Sequence, residues 1–179
     1  MSGAGTMGSV AVVCGNPRPE SRTLTAARYL ATSLTGGDCE CVVDLATFGQ
    51  RLLDPDDPDV AHAVHRVGAA ELVIVASPTY KATYTGLLKV FLDRFAGGTG
   101  LAGVAVPLML GGSPHHALAP ELHLRPLLVE LGAPCVTPAL FVLDDAYDDP
   151  ASYRDWLDRT APVVRPLLDR LPRPTGVPA

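Results

Sequence analysis

Short apolar runs that alternate with helically spaced segments constrain this chain more than any other feature. Residues 10–14 (VAVVC) form a run with no polar side chain to turn toward water, as expected of a strand buried on both faces. Leu24, Ala27, Tyr29, Leu30 and Leu34 then follow helical spacing, and Gly36-Gly37 ends that segment. Further strands are expected over residues 41–45, 72–76, 104–110 and 135–143, the last interrupted at Pro138. Helices are expected over 59–70, 85–95, 114–131 and 150–171. This alternation predicts an α/β fold with a parallel sheet and helices on both faces. The 179 residues suit one domain able to bury a sizeable core. That domain is expected over residues 9–172, between a small-residue tail at 1–8 and a proline-rich tail at 173–179, both disordered.

Composition removes several function classes. A chain 47% hydrophobic and 18% charged is globular, not disordered. A net charge of -5, with no block of Lys and Arg, gives nucleic acid no surface to follow. No basic segment leads into an apolar one at the N-terminus, and no apolar run reaches the roughly 18 residues of a membrane span, so a cytoplasmic location is expected. Cys14, Cys39, Cys41 and Cys135 have neither CxxC spacing nor a zinc-type grouping with histidine, and they read as small apolar filler. No metal site is expected.

In an open parallel sheet, ligands bind beyond the carboxyl ends of the strands, where strand order reverses. The loop after the first strand reads CGNPRPESRTL. Its Asn16, Ser21 and Thr23 stand where a helix begins with unpartnered N–H groups, and Arg18 and Arg22 add positive charge, which suits a phosphate. The plainer alternative is a helix cap at Ser21 with solvated arginines. The loop matches neither GxGxxG nor GxxxxGK[ST]. After the third strand, SPTYKATYTGLLKVFLDRF leaves through Pro78, which favours an extended Ser77, and brings Tyr80 and Tyr84 to the rim of the crevice. Tyrosines there offer a planar ligand apolar walls with hydrogen-bonding tips, and N–H groups from Thr79 to Lys81 can meet a ring's polar edge. Taken singly, each tyrosine equally suits packing on a helix. After the fourth strand, LGGSPHH offers close backbone approach at Gly111 and Gly112, a helix start at Ser113-Pro114, and His115 and His116 as further pocket walls.

With these three loops in view, the chain resembles the NAD(P)H-dependent FMN reductases of the flavodoxin-like fold. GNPRPESRT resembles their GSPRxxSxT signature, with Asn16 in place of the usual Ser and an added negative charge at Glu20. SPTYKATYTGLLKVFLDRF resembles TPxYKxxxSGxLKxxLD, and VPLMLGGSPHHALAPELHLRPLLVELGA continues the similarity. The nearest resemblance is to flavin reductases of two-component alkanesulfonate monooxygenase systems, in which some members carry a tyrosine where Leu122 and His123 stand here.

The resemblance implies a doubly wound five-stranded sheet of strand order 2-1-3-4-5. It implies FMN, with its phosphate on Asn16, Arg18, Ser21 and Thr23 and with Arg22 nearby. The isoalloxazine is implied to lie against Pro78, Thr79, Tyr80, Lys81 and Tyr84, with Gly111, Gly112, Ser113 and His115 completing the pocket. NADPH or NADH would pass hydride to flavin N5, which requires no catalytic side chain beyond electrostatic support from Lys81. Implied partners are a second copy, as homodimer or homotetramer, and a flavin-dependent monooxygenase that receives reduced FMN. The 85–95 helix, apolar at Leu87, Leu88, Phe91, Leu92 and Phe95 over more than one face, suits the subunit contact, the sheet, or both. Two readings stand beside the first: a tightly FMN-bound quinone or azo oxidoreductase, and an electron carrier of the flavodoxin type, for which the modest charge argues less well.

Overall fold

Val10–Cys14 (β1) is fully buried on both faces, and the reason lies in its interior position, with a paired strand on each side and helices above and below. The computed structural model describes residues 9–168 except 38 and 40. The tails expected at 1–8 and 173–179, and the last helix beyond Leu168, lie outside the described residues. After β1 come α1 (Arg22–Thr35), β2 (Cys41–Asp44), α2 (Pro58–Ala69), β3 (Leu72–Pro78), α3 (Gly86–Leu92) and β4 (Val104–Gly111). The chain continues through α4 (Arg125–Glu130), β5 (Leu140–Leu143) and α5 (Ala151–Leu168). The five strands form one parallel sheet in the order β2-β1-β3-β4-β5, as the resemblance implied. Strand order reverses at β1 and β3, so a crevice opens at their carboxyl ends.

The pleat sorts the apolar runs into two cores. Ala11, Val13, Val73, Val75, Ala105 and Met109 face α2, α3 and α4. Val10, Val12, Leu72, Ile74, Val106 and Leu108 face α1 and α5. Runs without polar interruption are what a sheet covered on both sides requires. In α3, Leu88, Phe91 and Leu92 are buried, with Phe95 just beyond it, and Leu87 packs half-buried against the same core. The sheet side of the fold therefore takes Leu88, Phe91, Leu92 and Phe95 of that segment.

Two expected elements differ in a way that proline explains. The single helix expected over 114–131 is broken into a tight turn at Pro114–His116, a wide π-type turn at Pro120–Leu124, and α4. Pro126 has no N–H and its ring crowds the carbonyl four residues back, so the turn widens and Arg125 N–H reaches back five residues to Pro120 O.

The strand expected over 135–143 pairs only from Leu140. Ala105 N–H points toward this side of β4 and donates to Pro134 O (3.2 Å), so the equivalent position two residues on, Pro107, has no proton to give. Pro138 lacks one as well. Side chains satisfy the backbone there instead: Arg125 donates to Cys135 O (2.8 Å) and Thr137 O (3.0 Å), Ala139 N–H donates to Glu121 (2.8 Å), and Trp156 Nε1 donates to Pro138 O (2.9 Å). Arg125 and Glu121 also pair with each other at 2.8 Å. No helix among the described residues is long and apolar enough to cross a membrane.

Candidate functional site

The loop leaving β1 is fixed before it reaches the crevice. Gly15 N–H donates to Ala76 O of β3 (2.8 Å), and Gly15 O accepts from the Thr85 hydroxyl at the start of α3 (2.6 Å). Asn16 then shapes the turn: its Oδ1 accepts from Arg18 N–H (3.0 Å) and its Nδ2 donates to Thr23 Oγ1 (3.0 Å). Glu20 takes a left-handed conformation (φ 50°), and its N–H donates to the Asp44 carboxylate at the end of β2 (3.0 Å). Ser21 caps α1, its hydroxyl accepting from Leu24 N–H (3.3 Å).

The two arginines are not equivalent. Arg22 donates to Asp144 O (3.3 Å) and lies 5.7 Å from the centre of the Tyr147 ring, so it is already engaged. The Arg18 guanidinium is exposed and has no hydrogen-bond or ion-pair partner among the described residues.

The segment after β3 is latched by Ser77, whose buried hydroxyl donates to Pro78 O (2.8 Å) and accepts from Thr85 N–H (3.1 Å). Tyr80 and Thr83 then exchange two backbone hydrogen bonds (2.9 and 3.2 Å) around Lys81 and Ala82, at φ 52° and 67°. Both central positions of this two-residue turn are left-handed, a conformation that costs non-glycine residues roughly 1–2 kcal/mol each. The hairpin holds Tyr80 at the rim, 48% exposed. Thr79 N–H donates to Leu110 O (2.6 Å) and Tyr80 N–H to Thr83 O. Of the N–H groups expected to meet a ring edge, those two are therefore committed to backbone partners, and Lys81 N–H is left.

These loops enclose a cleft of about 410 Å3 lined by Asn16, Arg18, Pro19, Glu20, Ser21, Arg22, Thr23, Pro78, Tyr80 and Asp144. Other candidate residues stand outside its wall. Lys81 is exposed at the hairpin tip, Tyr84 packs half-buried on the core under β1 and β3, Ser113 accepts from His115 N–H (3.3 Å) to start the 114–116 turn, and His115 is exposed. Thr79 and Gly111 meet one another beside the cleft. A Cβ on Gly111 would come within 3.0 Å of the Phe141 ring and 3.1 Å of Thr79 Oγ1. Gly112 is open to solvent, with Asp144 the nearest group to a Cβ there, at 3.7 Å.

Asp144 and Pro19 line the cleft and were not singled out in the sequence. Asp144 follows β5, whose last residue pairs with Gly111, and its N–H donates to Gly111 O (3.1 Å). The rule that places ligands at carboxyl strand ends covers β5 as well as its neighbours.

The residues present suit an aromatic phosphate ester such as FMN. One end of the cleft offers a free guanidinium, a capping hydroxyl and a helix start, while the other offers the Tyr80 wall. Thr79 Oγ1 is buried without a hydrogen-bond partner, the state of a hydroxyl beside a polar ligand edge. Glu20 and Asp144 add negative charge that opposes a phosphate. Cys14 lies buried beneath the loop, 3.5 Å from the Ser21 hydroxyl, and burial pushes its thiol pKa up, which disfavours the thiolate. The arrangement can bind and orient; among the described residues it provides no nucleophile–base pair and no group of metal ligands.

The chain matches the family described as NADPH-dependent FMN reductase over residues 9–148. It is 33% identical over 144 residues to an Escherichia coli (strain K12) protein named FMN reductase (NADPH), covering 78% of this chain and 75% of that protein. It is 32% identical over 148 residues to the NADH-dependent FMN reductase SfnF of Pseudomonas putida, covering 78% of this chain and 79% of that protein. Among solved structures, an apo form of the NADH:FMN oxidoreductase EMOB superposes with a TM-score of 0.81 at 31% identity, over 92% of each chain.

Proposed function

The chain belongs to the NADPH-dependent FMN reductase family, and on that premise we propose that the cleft between the β1 and β3 loops holds FMN as a diffusible substrate, with its phosphate at Arg18. The activity itself is that of an NAD(P)H:FMN oxidoreductase, with FMN and either NADPH or NADH. Bound flavin supplies the chemistry by accepting hydride at its N5 from the reduced nicotinamide. The chain's own residues orient and stabilise. Arg18, the Ser21 cap and Thr23 hold the phosphate end, with Asn16 shaping the turn and Arg22 braced beside it. Pro78, Thr79 and Tyr80 wall the ring, backed by Tyr84, while Gly111, Gly112, Ser113 and His115 border its far side. Lys81, with a free backbone N–H and an exposed ammonium, supports the negative charge that gathers on a reduced ring.

The observation that carries this reading is a cleft that joins a free guanidinium at the end of β1 to an aromatic wall at the end of β3. Release of reduced FMN to a flavin-dependent monooxygenase belongs to the same reading, supported by the carboxylates of Glu20 and Asp144 in the cleft wall and by the prior engagement of Arg22, all of which favour loose holding of the phosphate. A homodimer or homotetramer belongs to the same reading, supported by the exposed apolar side chains Leu118, Leu122 and Val129 on and before α4. A cytoplasmic location, where thiols stay reduced and nicotinamide is supplied, accords with four unpaired cysteines.

Flavin content on isolation, paired with steady-state oxidation of NADPH and NADH, tests the proposal. Protein that arrives without bound flavin and turns over at a rate saturating with added FMN is the expected result. Stoichiometric bound FMN, with turnover only when a quinone or azo acceptor is added, would replace it with the bound-flavin oxidoreductase.

A further inference from the structure

The carboxylate of Asp44, at the end of β2, lies outside the cleft yet touches its phosphate loop. It is 8% exposed, and both of its oxygens are engaged: Oδ2 accepts from Glu20 N–H (3.0 Å) and Oδ1 from Ala46 N–H (3.3 Å). Its own carbonyl accepts from the Thr47 hydroxyl (2.8 Å), which fixes the residue from behind. Glu20 is the residue that turns left-handed immediately before the Ser21 cap. A non-glycine residue keeps that conformation when its surroundings hold it there.

We propose that Asp44 is a positioning residue for phosphate recognition, a strut from β2 that holds the Glu20 turn so that Arg18 and Ser21 face the cleft before flavin arrives. The proposal rests on the FMN reading of the cleft. It has a sign that separates it from plain electrostatics. As a nearby negative charge Asp44 repels a phosphate, so neutralising it would tighten FMN binding; as a strut, the same change weakens it. Asn keeps the shape of Asp but carries one acceptor oxygen, so its amide NH2 must face either Glu20 N–H or Ala46 N–H.

Equilibrium titration of wild type and Asp44→Asn with FMN and with riboflavin reads this directly. The expected result is FMN affinity lowered about 10-fold in Asp44→Asn with riboflavin affinity changed by less than about 2-fold. Unchanged or tighter FMN binding, or equal loss for both flavins, overturns the strut while wild type still prefers FMN. A wild type that binds both flavins equally removes the phosphate reading and the strut together. Should Asp44→Asn not fold, amide hydrogen exchange at Glu20 in flavin-free wild type decides: slow exchange is expected, and exchange at the rate of an unprotected peptide overturns the proposal.

Discussion

Arg18→Ala is expected to weaken FMN binding by about 1.5–3 kcal/mol, or roughly 10- to 150-fold, with riboflavin affinity nearly unchanged. The magnitude is that of a hydrogen bond to a charged group, and the selectivity comes from the phosphate that riboflavin lacks. Arg18 carries the effect because its guanidinium is unengaged, whereas Arg22 is braced on Asp144 O and the Tyr147 ring. Arg22→Ala should therefore cost FMN less than Arg18→Ala in the same titration. Equal losses for FMN and riboflavin in Arg18→Ala would mean that the side chain meets no phosphate.

The second large effect is on the frame. Gly15→Ala is expected to destabilise the protein by about 1–3 kcal/mol, the usual range for overpacking a tight contact. A Cβ at Gly15 would lie 2.6 Å from Leu88 Cβ, an atom fixed by the α3 backbone and unable to swing aside. The loop cannot retreat easily, since Gly15 is bonded on one side to Ala76 O and on the other to the Thr85 hydroxyl. Leu88→Ala leaves that Cβ in place, so the double variant should not recover the loss. A lower denaturant midpoint in Gly15→Ala checks the prediction; an unchanged midpoint would show that β1 and α3 separate freely at this contact.

Much of this arrangement was legible in the sequence, for a physical reason. Runs such as 10–14 and 72–76 must be buried on both faces, and a parallel sheet with flanking helices is the architecture that does so. The cap at Ser21, the plainer alternative for that loop, was legible because capping depends on near neighbours. β5 was harder: Cys135 and Val136 look like strand residues whether a neighbouring strand or a side chain satisfies their backbone. The deciding facts, Pro107 opposite that segment and Arg125 reaching its carbonyls, join residues far apart in the chain. The widened turn at Pro120–Leu124 was hidden because each proline in 114–131 is acceptable at some helix start. In the cleft, Arg18, Tyr80 and their neighbours stood in recognisable loops. Asp144 and the link from Glu20 to Asp44 did not, since both depend on which strands end side by side.

Anaerobic single turnover tests the central claim most directly. The protein is mixed with equimolar FMN and then with NADPH or NADH, and the yellow absorbance of oxidised flavin is followed. The account predicts bleaching far faster than in a mixture without protein, with one FMN reduced per nicotinamide oxidised, and markedly slower bleaching in Arg18→Ala at subsaturating FMN. Absorbance that persists at the protein-free rate with both nicotinamides would contradict it.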